Sequence, residues 1–80
     1  MDNIEAEVVA LAAEHFGVPE DSVSISSSII ADLGADTLDI IEFVMALEEK
    51  FGIAIAEADC EDMETVGDAI RLVRLYLGRK

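Results

Sequence analysis

The sequence predicts an all-α fold, a small four-helix bundle of three longer helices and one short one, in a single domain spanning residues 1–80. Three observations predict it. Apolar residues recur at the three- and four-residue spacing of a helix face in three separate stretches, each bounded by a capping residue or a glycine. A sheet finds almost no support, since the one extended-looking run is Ile53-Ala54-Ile55. Aromatic residues make up only 5% of the chain against 52% hydrophobic residues, with no Trp, so the core must be aliphatic. Eighty residues lie near the lower end of what one such core holds together unaided, and modest stability follows.

The first helix is read from Ile4, Val8, Leu11, Ala12 and Phe16, which share one face; Gly17 and Pro19 then stop it. A long connection runs from about Gly17 to Asp36. It is polar through Asp21-Ser22-Val23-Ser24 but carries Val23, Ile25, Ile29, Ile30 and Leu33, so it is expected to pack across the bundle. The second helix runs from Thr37 to about Phe51, with Leu38, Ile41, Val44, Met45 and Leu47 apolar and Asp39, Glu42, Glu48 and Glu49 charged; Gly52 ends the pattern. A short third helix is expected between Glu57 and Asp62. Thr65 suits the N-cap of a last helix in which Val66, Ala69, Ile70, Val73 and Leu77 form the buried stripe, ending near Gly78. Arg71 and Arg74 are expected to favour its C-terminal end through the helix dipole.

Charge narrows the partners. All 18 acidic residues fall within residues 1–70, where Lys50 is the single base, while residues 71–80 carry Arg71, Arg74, Arg79 and Lys80; the net charge is −13. Such a surface repels nucleic-acid phosphates and anionic membranes, so the expected partners present basic patches, with solubility as the plainer reading of the same charge. No early segment combines a basic region with an apolar one, and no apolar run approaches the ~20 residues that span a bilayer. The expectation is a soluble, cytoplasmic monomer that does not insert into membranes.

The stretch that carries chemistry is Asp32-Leu33-Gly34-Ala35-Asp36-Thr37-Leu38-Asp39. Asp36 has a short acceptor side chain just before a long periodic run, and Asp39 three residues later mimics a capping box, so the helix is predicted to begin at Thr37. Gly34 permits a sharp turn that presents residue 37 outward. A hydroxyl at a helix N-terminus lies where unpaired N–H groups and the helix dipole favour an attached phosphodiester. The structural alternative is that Thr37 merely helps cap the helix.

Gly34-Ala35-Asp36-Thr37-Leu38-Asp39, Glu42-Phe43-Val44-Met45-Ala46-Leu47-Glu48-Glu49 and Phe51-Gly52-Ile53 resemble the core of a type II acyl carrier protein. The likeness continues through Phe16-Gly17-Val18, Ser28-Ile29-Ile30-Ala31-Asp32-Leu33 and Thr65-Val66-Gly67-Asp68-Ala69-Ile70, and so covers nearly the whole chain. The resemblance implies a carrier that catalyses nothing itself. A 4'-phosphopantetheine arm, received from coenzyme A through a phosphopantetheinyl transferase, would hold acyl groups as thioesters for fatty-acid or polyketide-type synthesis enzymes. It implies Thr37 as the attachment point, with Asp36, Leu38 and Asp39 around it. It further implies Glu42, Glu48 and Glu49 against basic partner surfaces, with Leu38, Ile41 and Met45 as the apolar part of that contact. Ile30, Leu47, Met63 and Ala69 match positions near the family's acyl cavity, and all four also read as ordinary core residues.

Two positions depart from the family pattern. The family generally has serine where Thr37 stands and proline where Ala56 stands. The added methyl of threonine crowds its hydroxyl and restricts the first side-chain torsion. Three accounts stay open: an engineered block to modification, a natural carrier served by a tolerant transferase, or an unmodified acidic interaction module with a regulatory or scaffolding role. Ser26, Ser27 and Ser28 lie in the long connection and are poor substitutes for the site. His15 and Cys60 are the single residues of their types, in different segments, and form neither a metal cluster nor a catalytic constellation. Glu57, Asp59, Glu61 and Asp62 read as a solvated charge run, with weak divalent-ion binding as the sharper alternative.

Overall fold

The computed structural model describes residues 3–79. Helix α1 spans Asn3–Phe16, α2 spans Thr37–Phe51, α3 spans Glu57–Glu61 and α4 spans Val66–Gly78, with one 3₁₀ turn at Glu20–Ser22 in the long connection. The three longer helices each bury one face; in α1 and α4 it overlaps the apolar positions that periodicity marks, whereas in α2 only Val44 and Leu47 of the marked positions are buried and Leu38, Ile41 and Met45 are exposed. Val8, Val9, Ala12 and Ala13 face inward from α1, Phe43, Val44 and Leu47 from α2, and Val66, Ala69, Ile70 and Val73 from α4. Helix α1 packs on α4 and α2, and α4 packs on α2. Val8, Ile29, Phe43, Leu47, Val66 and Val73 are fully buried; each such side chain contributes about 1.5–3 kcal/mol by leaving water. Among the described residues no helix is long and apolar enough to cross a membrane.

One small aromatic group joins α1 to α2. The Phe16 and Phe43 rings lie 5.2 Å apart, and the His15 imidazole meets Phe16 edge-on at 4.9 Å. His15 is therefore part of the hydrophobic packing at the end of α1.

The long connection packs across the bundle in part. Val23, Ile29, Leu33 and Ala35 are buried, but Ile25 and Ile30 are more than half exposed, contrary to the expectation for those two. The reason is backbone pairing with the start of α4. Ile29 N–H donates to the Glu64 carbonyl at 3.0 Å, Val66 N–H to Ser27 at 3.1 Å and Gly67 N–H to Ile25 at 2.8 Å, around an isolated antiparallel bridge between Ser28 and Thr65. Ile29 and Ile30 begin the turn that follows this bridge, closed by the Asp32 and Leu33 N–H groups on the Ser28 carbonyl at 2.9 and 3.2 Å; Ile29 enters the core and Ile30 leaves it. The approach is close enough that a Cβ on Gly67 would sit 2.8 Å from the Ile25 carbonyl oxygen.

Helix α4 opens on a reciprocal cap. Asp68 N–H donates to Thr65 Oγ1 at 3.1 Å, while Asp68 Oδ2 accepts from the Thr65 and Glu64 N–H groups at 3.0 and 2.9 Å. Arg71 reaches toward this end, pairing with Asp68 Oδ1 at 2.8 Å. The sequence expectation that Arg71 and Arg74 serve the C-terminal end is thus corrected: the last turn of α4 contains no base. The local partner one turn back, offering a charge-assisted bond, wins over a weak dipole term.

Candidate functional site

The site is built at the start of α2. Asp36, in an extended conformation, is the N-cap; its Oδ1 accepts from Asp39 N–H at 2.9 Å, and Asp39 Oδ2 accepts from Asp36 N–H at 3.2 Å. These two carboxylates do the capping, which leaves Thr37, the first helical residue, exposed; among the described residues its hydroxyl makes no hydrogen bond. The loop before it is held by its own hydrogen bonds. Ser28 N–H donates to Asp32 Oδ2 at 2.7 Å, Ala31 N–H to Ser28 Oγ at 3.1 Å and Ala35 N–H to the Ile29 carbonyl at 3.1 Å. Gly34 turns this loop into the helix with φ of 74°, a left-handed conformation that side chains with a Cβ rarely adopt.

Beyond Thr37 the exposed face of α2 is apolar. Leu38, Ile41 and Met45, spaced three and four apart, share one helix face and are 62%, 51% and 60% exposed. Glu42 and Glu49 are also exposed. Glu48 differs: it is half-buried, and its Oε2 accepts from the Ile55 N–H at 2.7 Å, tying the segment after α2 back onto that helix.

A cleft of about 570 Å³ adjoins the site, within the range of small-molecule pockets. Thr37, Ile40 and Ile41 line it from α2, with Ile30 from the loop and Met63 from the segment before α4. Helix α3 contributes Glu57, Cys60 and Glu61. Of the residues that the family resemblance places near an acyl cavity, Ile30 and Met63 line this cleft. Leu47 and Ala69 instead lie at zero exposure in the packed core and are not on its walls. Burial pushes the Cys60 thiol above its ordinary pKa, reinforced by the Glu48, Asp59 and Glu57 carboxylates. It therefore stays protonated and weakly nucleophilic at neutral pH. Among the described residues no three His, Cys, Asp or Glu side chains gather to hold a metal ion, and Glu57, Asp59, Glu61 and Asp62 form no such group.

Two contacts on this side have no counterpart in the sequence reading. The Tyr76 hydroxyl donates to Asp59 Oδ2 and accepts from the Ala56 N–H at 3.1 Å, so α4 reaches the start of α3 at the position where the family has proline. Asp32 holds the loop through Ser28. Only the second has a local signal, a serine and an aspartate four residues apart.

The family model described as "Phosphopantetheine attachment site" matches residues 6–73. A Mycobacterium tuberculosis structure assigned as an acyl carrier protein is 26% identical, with a TM-score of 0.84 over 91% of this chain and 97% of that one. An acyl carrier protein from Thermotoga maritima is 28% identical, with a TM-score of 0.78 over 92% of this chain and 86% of the other. A match over most of the chain, on a bundle whose capped second helix presents a free hydroxyl beside a cleft, has one reading: the chain belongs to the acyl carrier protein family, whose members carry phosphopantetheine.

Proposed function

We propose that the chain carries acyl intermediates on a 4'-phosphopantetheine arm attached at Thr37 and presents them to enzymes of fatty-acid or polyketide-type synthesis, as a carrier and not a catalyst. The observation that carries this reading is the Thr37 hydroxyl, exposed and without an internal hydrogen bond at the first position of a capped helix. The residues present fit the group. In modification, Thr37 Oγ1 would form the new bond to phosphorus while the pyrophosphate bond of coenzyme A breaks and adenosine 3',5'-bisphosphate leaves. The hydroxyl proton passes to a base of the transferase. The first amides of α2 have no acceptor inside the helix and favour a phosphodiester there, against the opposing charge of Asp36 and Asp39. When bound, the arm supplies a terminal thiol that holds acyl groups as thioesters.

Partner contact falls to the face next to Thr37. Glu42 and Glu49 steer basic surfaces in, and Leu38, Ile41 and Met45 fix the register through an apolar patch small enough to release quickly. Glu48, also assigned to that contact by resemblance, contributes its charge from a carboxylate already engaged with Ile55. Ile30 and Met63 are the cleft residues nearest in role to an acyl site; Leu47 and Ala69 would meet an acyl chain only through a rearrangement of the core. Strong self-repulsion at a net charge of −13 supports a monomer.

The threonine itself favours a second reading, an unmodified interaction module using the same acidic and apolar face. Incubation of the protein and its Thr37→Ser variant with coenzyme A and a broad-specificity transferase, followed by intact mass measurement, separates the two. A gain of one phosphopantetheine by both proteins is the expected result. A gain by the serine variant alone leaves a carrier scaffold in a blocked or prosthetic-free form, and a gain by neither overturns the carrier reading.

A further inference from the structure

Helix α3 is the wall of the cleft with the least of its own to hold it. None of its five residues is fully buried, and its N-cap, Ala56, offers no side chain to the helix start. In a capping box the carboxylate at the third helical position takes the N-cap N–H directly. Here the third position is Asp59, and the direct bond is replaced by a relay: Ala56 N–H donates to Tyr76 Oη at 3.1 Å, and the Tyr76 hydroxyl donates to Asp59 Oδ2. A phenol can stand in this place because its oxygen both accepts and donates. The Ala56 carbonyl is meanwhile occupied by Asp59 N–H at 3.0 Å and Cys60 N–H at 3.2 Å, so one residue gathers every bond at the start of α3. The Arg79 guanidinium lies 5.1 Å from the centre of the Tyr76 ring and helps keep it in place.

We propose that Tyr76 is a positioning residue for the cleft: through Ala56 and Asp59 it completes the cap of α3 from the far end of α4, and so sets the wall that carries Glu57, Cys60 and Glu61. The proposal deepens the carrier reading and rests on it for the use of the cleft, but the latch itself is a property of the unmodified chain. Loss of the hydroxyl leaves the ring packed and removes two hydrogen bonds, one to a carboxylate, so α3 opens more often while the rest of the bundle stays closed.

Hydrogen exchange on the unmodified protein tests this. In Tyr76→Phe, exchange of amides at 57–63 rises about tenfold, the worth of one charge-assisted bond, while amides of α1 and α2 keep their protection. Asp59→Ala, which leaves the Ala56 N–H bond to the phenol, raises exchange at the same amides by less, and the double variant opens α3 no further than Tyr76→Phe alone. Asp59→Asn, which keeps an acceptor oxygen for the phenol, restores most of the protection and keeps the test valid should Tyr76→Phe fold poorly. Alkylation of Cys60 by iodoacetamide speeds up in Tyr76→Phe in parallel. Exchange at 57–63 within twofold of the parent, a uniform rise across all helices, or additive effects in the double variant would each overturn the proposal. The carrier reading fails separately, when neither the protein nor its Thr37→Ser variant gains phosphopantetheine in the mass test, and that outcome leaves the Tyr76 latch unchanged.

Discussion

Glu42 and Glu48 carry the same charge on the same helix, and the structure predicts opposite consequences for removing it. Glu42 is exposed, and among the described residues its side chain makes no hydrogen bond, whereas Glu48 Oε2 accepts from Ile55 N–H at 2.7 Å. Ile55 is itself buried at 9% exposure, so in Glu48→Ala its N–H loses its partner where water reaches it poorly. A hydrogen bond to a charged group is worth ~1.5–3 kcal/mol, and the half-buried carboxylate places this one near the lower end, about 1.5 kcal/mol. Removing a carboxylate from a chain of net charge −13 also relieves repulsion, which works the other way. Glu42→Ala carries that same relief with no bond to lose and serves as the reference. At about 4–8 °C per kcal/mol for a domain of this size, Glu48→Ala should melt about 6–12 °C below Glu42→Ala, followed by far-UV circular dichroism at matched ionic strength. Glu48→Gln keeps an acceptor oxygen and should recover most of the difference. Melting of Glu48→Ala within about 2 °C of Glu42→Ala would refute the reasoning, because the segment after α2 would then be held without this bond. The same logic makes Glu42 the better position for charge reversal in partner-binding tests.

Gly67→Ala should destabilise the fold by about 1–2 kcal/mol: overpacking costs about 1–3 kcal/mol and outweighs the ~0.5–1 kcal/mol that alanine adds to helix propensity, since the obstructing atom is the Ile25 carbonyl 2.8 Å away. A melting temperature equal to or above the parent's would show that the loop yields freely. The Asp68 carboxyl is held below its usual value near 3.8, chiefly by the Glu64 N–H, against an opposing burial cost, and further by the Thr65 N–H and Arg71. Its contribution is therefore present above the usual carboxylate range and is lost as pH falls through the lowered value, so the melting difference between the parent and Asp68→Asn should shrink toward acid; a constant difference from pH 7 to pH 2 counts against this. Added salt should raise the melting temperature. The protein measures 31 × 27 × 19 Å, so at ~0.01 M salt, with a screening length of ~30 Å, all its charges repel one another, while at ~0.15 M only neighbours within ~8 Å do. Coincident melting curves at the two ionic strengths would remove self-repulsion as a factor.

What the sequence made legible was what neighbouring residues decide among themselves. The caps at Asp36 and Thr65 are such features: each needs a carboxylate three residues on and an apolar run behind it, and both form as reciprocal boxes. The buried faces of α1 and α4 are legible for the same reason, while α2 carries apolar residues on its exposed face as well, at Leu38, Ile41 and Met45, so periodicity alone did not single out its buried side. Three further features were not legible. Gly67 reads as an unremarkable residue near a helix start until the Ile25 carbonyl is placed against it, Glu48 reads as another surface charge until Ile55 folds back, and Tyr76 lies 20 residues from the amide it accepts. Each depends on tertiary approach, which periodicity does not encode. Ile30 shows the same limit in one residue, since it shares the hydropathy of Ile29 yet is exposed, in a turn placed by the pairing of Ser28 with the start of α4.

The threonine tests how far a scaffold determines its own modification. Thr37 takes no part in the cap, which Asp36 and Asp39 close between themselves, and it is exposed. Replacing it with serine therefore removes a solvent-facing methyl and changes nothing that holds the fold; the stability should move by less than about 0.5 kcal/mol, the range of surface substitutions away from special features. If the two proteins melt together but only the serine variant gains mass, the barrier lies in the transferase, where a crowded secondary hydroxyl must approach the phosphorus, and not in a distorted helix start. If the serine variant is also more stable by 1 kcal/mol or more, a threshold about twice that surface range, Thr37 strains the loop after Gly34 and the block begins within the carrier. The two measurements together assign the effect of one methyl group either to recognition or to folding.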